Sequence, residues 1–377
     1  MINVYEHLPN PCYVIEEKKL LRNIAVFKYF KSHTSVRLLM ALKGFANYRA
    51  FGYFRDLIDG ASASSYSEAK LAKDFLHNEI HLYAPVYHEE ELAKMSRFSS
   101  HITFNSLGQL DRFADKVKRI NKDISVGLRV NPGYSDVETD LYNPAHVQSR
   151  LGVPADDLPD VLPKEIEGLH FHTLCESKHQ ALEQLLDAFE AQFGRFLPGL
   201  RWVNIGGGHL LTHADYDVAY AIRVLNRFSE KYPWLTVYME PSAAYVWRTG
   251  VLLARVEDIV QNGGINTAML NVSFTAHMPD TLEMPYKPQV LGEHPQGKYV
   301  YRFGGNSCLA GDFIDGFRFD KALHPGDMIV FCDMIHYTTV KTTFFNGVKH
   351  PAIGMLRRDG TFELFREFGY EDYKNKL

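Results

Sequence analysis

Leu38-Leu39-Met40-Ala41-Leu42-Lys43-Gly44-Phe45 is the stretch on which the fold turns. A run with apolar residues on both sides of its pleat reads as a strand buried on both faces, as in a parallel sheet or barrel. This one delivers a single lysine to its C-terminal end. An ammonium group at such a mouth is costly to desolvate, so its pKa is expected to fall toward that of a nucleophilic amine. The plainer alternative is that Lys43 opens a surface loop, because lysines commonly follow strands.

Beyond this strand, strand-like and helix-like stretches alternate for about two hundred residues, the βαβ signature of a parallel sheet. Eight strands are expected at 36–43, 59–64, 80–85, 102–105, 125–131, 168–173, 202–206 and 237–241. Amphipathic segments lie between most of them, for example 67–75 and 181–193, and a helix is expected over 20–31. Eight strands with helical connections favour a closed (β/α)8, TIM-like barrel, whose chemistry sits at the C-terminal strand ends. Beyond Pro241 the texture changes. Runs at 251–260, 268–274, 299–303, 328–331 and 352–356 look like strands separated by Gly/Pro/Asn turns, so an all-β C-terminal domain follows the barrel. The expected division is 14–249 for the barrel and 250–377, with 1–13, for the β-domain.

Composition is that of a soluble globular protein, with 46% hydrophobic and 23% charged residues in 377. The net charge of -4 argues against a nucleic-acid partner. Four cysteines without metal-like or paired spacing point to thiols in a reducing compartment. No apolar run reaches transmembrane length and no leader-like segment opens the chain, so the expected location is the cytoplasm, away from membranes.

Other strand ends carry chemistry. The seventh ends in Asn204-Ile205-Gly206-Gly207-Gly208-His209, where three glycines let backbone N–H groups approach an anion, or simply make a tight turn. The eighth ends in Tyr238-Met239-Glu240-Pro241; Glu240 can ligate a metal, act as a base, pair with a protonated heterocycle, or form a structural salt bridge. The sixth ends in His170-Phe171-His172-Thr173-Leu174-Cys175-Glu176, with both histidines on one face. A metal pair there lacks a third ligand at convincing spacing; a packed imidazole or a ring stacked on a flat cofactor are the alternatives. In the β-domain, Cys308 lies in the glycine-rich loop 304–312, as an accessible thiol or equally a buried, inert one, and Asp312 can bind a substrate cation. Tyr337 can give its O–H to a phosphate or merely pack. No metal site is expected.

A lysine, a glycine run and a carboxylate at separate strand ends of one barrel are the parts list for pyridoxal phosphate. In order and spacing they resemble the fold-type III, alanine-racemase-like decarboxylases, which include ornithine and diaminopimelate decarboxylases. The strings FHTLCE (171–176), CLAGD (308–312) and TFFNG (343–347) look like the carboxynorspermidine/carboxyspermidine decarboxylases. The resemblance implies that Lys43 carries the cofactor, His172 stacks on its ring and Glu240 pairs with the ring nitrogen. It implies that Gly206, Gly207 and Gly208, with Tyr337, hold the phosphate, while Arg129 and Glu68 match flanking positions. It implies that Cys308 protonates the α-carbon after carbon dioxide leaves, from the loop of a partner subunit in an obligate homodimer with shared active sites. Asp312 would lie near the cofactor linkage or the substrate amines. A carboxypolyamine tail asks for spaced carboxylates, for which Glu176, Asp280, Glu283, Asp312 and Asp315 are candidates. A racemase of this fold is expected to use arginine where Glu240 stands, so decarboxylation is the expected reaction. Two departures stand out: Ser242-Ala243-Ala244 follows Glu240-Pro241 where relatives have Gly-Arg or Gly-Glu, and Asn306-Ser307 replaces Pro-Thr. Rival expectations are a decarboxylase of another diamino acid such as diaminopimelate, and a non-catalytic cofactor carrier, which generally lacks an appended β-domain. A metal hydrolase using His170, His172 and Glu240 is a third, but it leaves Lys43 and the glycine run unexplained.

Overall fold

The computed structural model describes residues 2–377, which form two compact units: Ile24–Tyr245, and the residues up to Asn23 together with Val246–Leu377. In chain order the strands are β1 (Cys12–Glu16), β2 (Arg37–Ala41), β3 (Gly60–Ala63), β4 (Glu79–Tyr83), β5 (His101–Phe104) and β6 (Ser125–Asn131). They continue with β7 (Val153–Pro154), β8 (Gly168–His170), β9 (Trp202–Asn204), β10 (Thr236–Met239), β11 (Gly250–Asn262) and β12 (Ile265–Leu270). The last five are β13 (Tyr299–Gly304), β14 (Phe313–Phe319), β15 (Met328–Cys332), β16 (Ala352–Leu356) and β17 (Phe362–Arg366).

In the first unit every neighbouring pair among β2, β3, β4, β5, β6, β8, β9 and β10 is parallel, and β10 returns to β2. The sheet is therefore a closed eight-stranded barrel, as the alternating pattern implies; β7 is a two-residue addition to β6. Every strand but β6, which ends at Asn131 as expected, stops short of its sequence-derived end. Leu42-Lys43, Phe171 to Thr173, Ile205-Gly206 and Glu240-Pro241 leave the ladder and become the loops of the barrel mouth.

Helices follow with local signals in place. Ser65 accepts from the Glu68 N–H at the start of Tyr66–Phe75, Ser106 from Gln109 at the start of Leu107–Ile120, and Asp217 from Tyr220 before Val218–Lys231. Each satisfies an orphan donor of the first turn. The barrel interior is packed around Leu39, Trp202 and Tyr238. Trp202 fits because two strands present glycine to it: a Cβ on Gly168 would stand 2.0 Å from its Cδ2, and one on Gly127 2.3 Å from its Cη2.

The second unit is a mixed sheet in the order β14-β13-β12-β11-β1-β16-β17, with β15 paired to β11. Most neighbours are antiparallel, but β1–β16 and β12–β13 are parallel. Its five sequence-derived strands are all present; β1 joins them from the start of the chain, and β14 and β17 are additions. Asp315-Gly316 reads as a turn dipeptide, yet Gly316 takes a left-handed φ of 86° within β14. Short helices decorate this sheet at Phe274–His277, Asp280–Glu283, Tyr337–Val340 and Tyr370–Lys376.

Candidate active site

Lys43 lies in the turn that ends β2, closed by the Gly44 N–H donating to the Ala41 carbonyl at 3.2 Å. Its Nζ is 3.0 Å from His172 Nε2. The other nitrogen of that imidazole, Nδ1, accepts from the Gly207 N–H at 3.0 Å. A neutral imidazole that accepts at Nδ1 carries its proton on Nε2. His172 therefore donates to Lys43, and the lysine that accepts is a free amine. The surroundings push the same way. Lys43 is open to solvent at the mouth, but the protein packed about its amine lowers its pKa, with Glu240 opposing and Arg129 reinforcing the effect. Burial and the neighbouring Lys43 keep His172 neutral, its pKa well below the usual imidazole value.

Glu240 is buried one residue beyond β10. Asn204 Nδ2 donates to its Oε1 at 2.6 Å, and His170 Nε2 lies 4.0 Å from Oε2. Asn204 also uses Oδ1 to accept the Gly206 N–H at 2.9 Å. One amide thus fixes both the carboxylate and the start of the glycine run. Sequence reading passed over it, although a polar residue ending the buried run Trp202-Val203-Asn204 is itself a signal. Both nitrogens of His170 lack a hydrogen-bond partner among the described residues.

The glycine run is demanded by close backbone approach. Gly206 and Gly208 have φ of 71° and 91°, where side chains are strained, and a Cβ on Gly208 would stand 2.1 Å from the Leu174 carbonyl. Two of its N–H groups are spoken for, by Asn204 and His172. Arg129 is buried, stacks its guanidinium 4.6 Å from the Tyr83 ring centroid, and donates to the His172 carbonyl at 2.9 Å. Glu68 accepts the Ser64 N–H at 2.7 Å while its own N–H goes to Ser65. Burial raises its pKa, against the pull of Ser64 and Lys43. Glu176 is exposed on the loop after β8, with a left-handed φ of 53°. The barrel thus gathers Lys43, His172, Glu240, Arg129, Glu68, the glycine run and Glu176 at one end.

The remaining candidates belong to the sheet unit. Cys308 is exposed, and its N–H donates to Asn346 Oδ1 at 2.8 Å, joining the CLAGD and TFFNG strings. Asn346 is a second residue that sequence reading missed. Its φ of 54° is one that asparagine tolerates better than most residues. Asp312 is buried and committed to its own loop: Oδ1 accepts from Thr275 N–H at 3.0 Å and Oδ2 from the Ser307 hydroxyl at 2.6 Å. Asp315 receives two bonds from Arg302, and Lys341 bridges Asp280 and Glu283. Tyr337 opens the helix Tyr337–Val340.

Residues 12–335 match the family model described as "Pyridoxal-dependent decarboxylase, C-terminal sheet domain". The chain is 51% identical, over 100% of its length and 98% of the relative's, to a carboxyaminopropylagmatine decarboxylase of Synechocystis. It is 41% identical, over 98% of each, to a carboxynorspermidine/carboxyspermidine decarboxylase of Campylobacter jejuni. The crystal structure of carboxynorspermidine decarboxylase with norspermidine, from the same species, superposes with a TM-score of 0.89 at 39% identity, covering 98% of this chain and all of that one. With a barrel that ends in a free-base lysine beside a buried glutamate, and similarity along the whole chain, the protein belongs to the pyridoxal-dependent decarboxylases.

Proposed function

We propose that this enzyme removes the α-carboxylate of carboxynorspermidine and carboxyspermidine, yielding norspermidine and spermidine in polyamine biosynthesis. The observation that carries the proposal is similarity over nearly full length to relatives so named, one of them solved with norspermidine. A second reading has its own support. The 51% identical relative is named for carboxyaminopropylagmatine, which shares the α-amino-acid head and differs at the far end, where a guanidinium replaces an ammonium.

The residues present fit pyridoxal phosphate: a free-base amine open to the mouth, and a buried carboxylate whose one oxygen is held by Asn204. Bound there, the cofactor supplies an electron sink for the pair released as carbon dioxide leaves. Lys43 would hold it covalently, His172 would lie against its ring, and Glu240 would keep a proton on its ring nitrogen. The backbone of Gly206 to Gly208 and the Tyr337 hydroxyl would hold the phosphate, and Arg129 and Glu68 would hold the surrounding loops. Decarboxylation consumes one proton at the α-carbon, and Cys308 of a partner subunit in a homodimer donates it. Glu176, Asp280, Glu283, Asp312 and Asp315 are the acidic groups proposed for the polyamine tail or its surroundings. Four free cysteines support a cytoplasmic location, and no helix among the described residues is long and apolar enough to cross a membrane.

Purified protein with added cofactor should release carbon dioxide from carboxynorspermidine, carboxyspermidine or carboxyaminopropylagmatine in preference to diaminopimelate and ornithine. Turnover confined to the two shorter amino acids would refute the substrate class. The ratio among the three long substrates decides between the readings.

A further inference from the structure

Ser242 stands where the resembling decarboxylases carry glycine, and the structure gives the replacement a purpose. Regular pairing between β2 and β10 ends at Leu38 with Met239. Beyond it the Glu240 N–H turns to the Gly206 carbonyl at 2.7 Å, and Pro241 has no N–H to give. What then joins the two strand ends is Ala41. Its N–H donates to the Pro241 carbonyl at 3.3 Å, and its carbonyl accepts from the Ser242 hydroxyl at 2.5 Å. That same carbonyl accepts the Gly44 N–H at 3.2 Å, the bond that closes the turn presenting Lys43. Ser242 is 6% exposed, so water cannot readily replace its hydroxyl.

We infer that Ser242 is a positioning residue: its hydroxyl stands in for the donor that Pro241 lacks and clamps the Lys43 turn to the strand end that bears Glu240. Lys43 lies two residues after Ala41, and Glu240 two residues before Ser242. The shared carbonyl fixes the distance between the amine that holds the cofactor and the carboxylate that holds its far side. A glycine at 242 offers no side-chain donor. The inference rests on reading Lys43 and Glu240 as partners of one bound group.

The test compares wild type with Ser242→Ala and Ser242→Thr in the full-length protein. In the cofactor-free form, competitive acetylation with trace acetic anhydride across pH reports the Lys43 pKa by peptide mass spectrometry. Loosening the turn relieves the burial that lowers this pKa, so Ser242→Ala should raise it and Ser242→Thr should restore it. In the loaded enzyme, kcat should fall roughly 3- to 10-fold in Ser242→Ala, the equivalent of one buried hydrogen bond, with KM little changed. An unmoved Lys43 titration overturns the inference, and so does a fall in Tm unaccompanied by a pKa change, which makes Ser242 a structural tie alone. Borohydride reduction of the loaded wild type separates the two levels. A pyridoxyl group mapped to any lysine other than Lys43 defeats the underlying reading, whereas a Ser242→Ala protein indistinguishable from a correctly labelled wild type defeats only this one.

Discussion

Replacing Asn204 with leucine removes two hydrogen bonds at the centre of the site while keeping volume nearly constant, so cavity and overpacking effects stay small. The bond lost from Nδ2 to Glu240 goes to a buried carboxylate, at 2.6 Å, and bonds to charged groups contribute about 1.5–3 kcal/mol. The Gly206 N–H, 2.9 Å from Oδ1, is left without its acceptor, at a cost of about 1–3 kcal/mol if water does not reach it. Together the loss is about 2.5–6 kcal/mol, which for a domain of this size lowers Tm by roughly 5–24 °C. Asn204→Asp is the informative companion. It keeps an acceptor for Gly206 but places a second oxygen against Glu240 Oε1, and the repulsion is relieved by a proton. Its deficit should therefore shrink as the pH falls from 8 to 5, while that of Asn204→Leu persists. Scanning calorimetry at both pH values reads this directly. A Tm for Asn204→Leu within about 2 °C of wild type would show that the amide does not organise the site.

Three other perturbations follow. Gly168→Ala drives a Cβ to 2.0 Å from Trp202 Cδ2 and should cost about 1–3 kcal/mol, part of it recovered by adding Trp202→Phe; an unshifted Tm in the single variant contradicts the packing argument. His209 and His277 are buried, and burial pushes the pKa of each down to about 3. The unfolded chain takes up those protons near pH 6.5, so stability is whole above that value and falls as the pH drops toward 3, by up to about 1.4 kcal/mol per pH unit for each. His209→Gln should flatten that acid limb, and an unchanged slope excludes His209 from it. Asn346→Ala, with Asn346→Gly as control for the left-handed backbone, frees the Cys308 N–H; kcat should drop roughly 3- to 10-fold with cofactor loading intact. Unchanged turnover in both Asn346→Ala and Cys308→Ala removes that loop from the reaction.

The barrel was legible because strands buried on both faces are apolar throughout, which a single chain displays without help. Their ends were not. Leu42, Phe171 and Ile205 each give one last N–H to a neighbouring strand, at the Ser62, Asn204 and Tyr238 carbonyls, and beyond them the backbone turns to loop partners, a switch that side-chain texture does not mark. The site's chemistry was legible where a residue type is rare at a strand mouth, as with Lys43 and Glu240. It was hidden where a common residue acts across the fold: Asn204 on Glu240, Ser242 on Ala41, Asn346 on Cys308. These pairs are 36, 201 and 38 positions apart. No periodicity or local spacing encodes such a bond. β14 and β17 escaped for a local reason, since glycine and charge interrupt their alternation.

The acidic residues proposed for the polyamine tail are separated by what already holds them. Lys341 bridges Glu283, whose side chain is 56% exposed, and Arg302 grips Asp315, at 57%. Ion pairs at such exposure are worth about 0–1 kcal/mol, so a substrate ammonium can take the place of Lys341 or Arg302 at little loss. Asp312 is different. It is 4% exposed, and its oxygens are taken by the Thr275 and Ser307 N–H groups and the Ser307 hydroxyl. Turning it outward abandons bonds to a charged group worth about 1.5–3 kcal/mol each, more than one new ammonium contact returns. Asp312 is therefore better placed as the brace of the loop that carries Cys308, and Asp312→Asn should act on kcat, through that thiol, ahead of any effect on KM. Glu283→Gln and Asp315→Asn should do the reverse, and should do so only for substrates long enough to reach them.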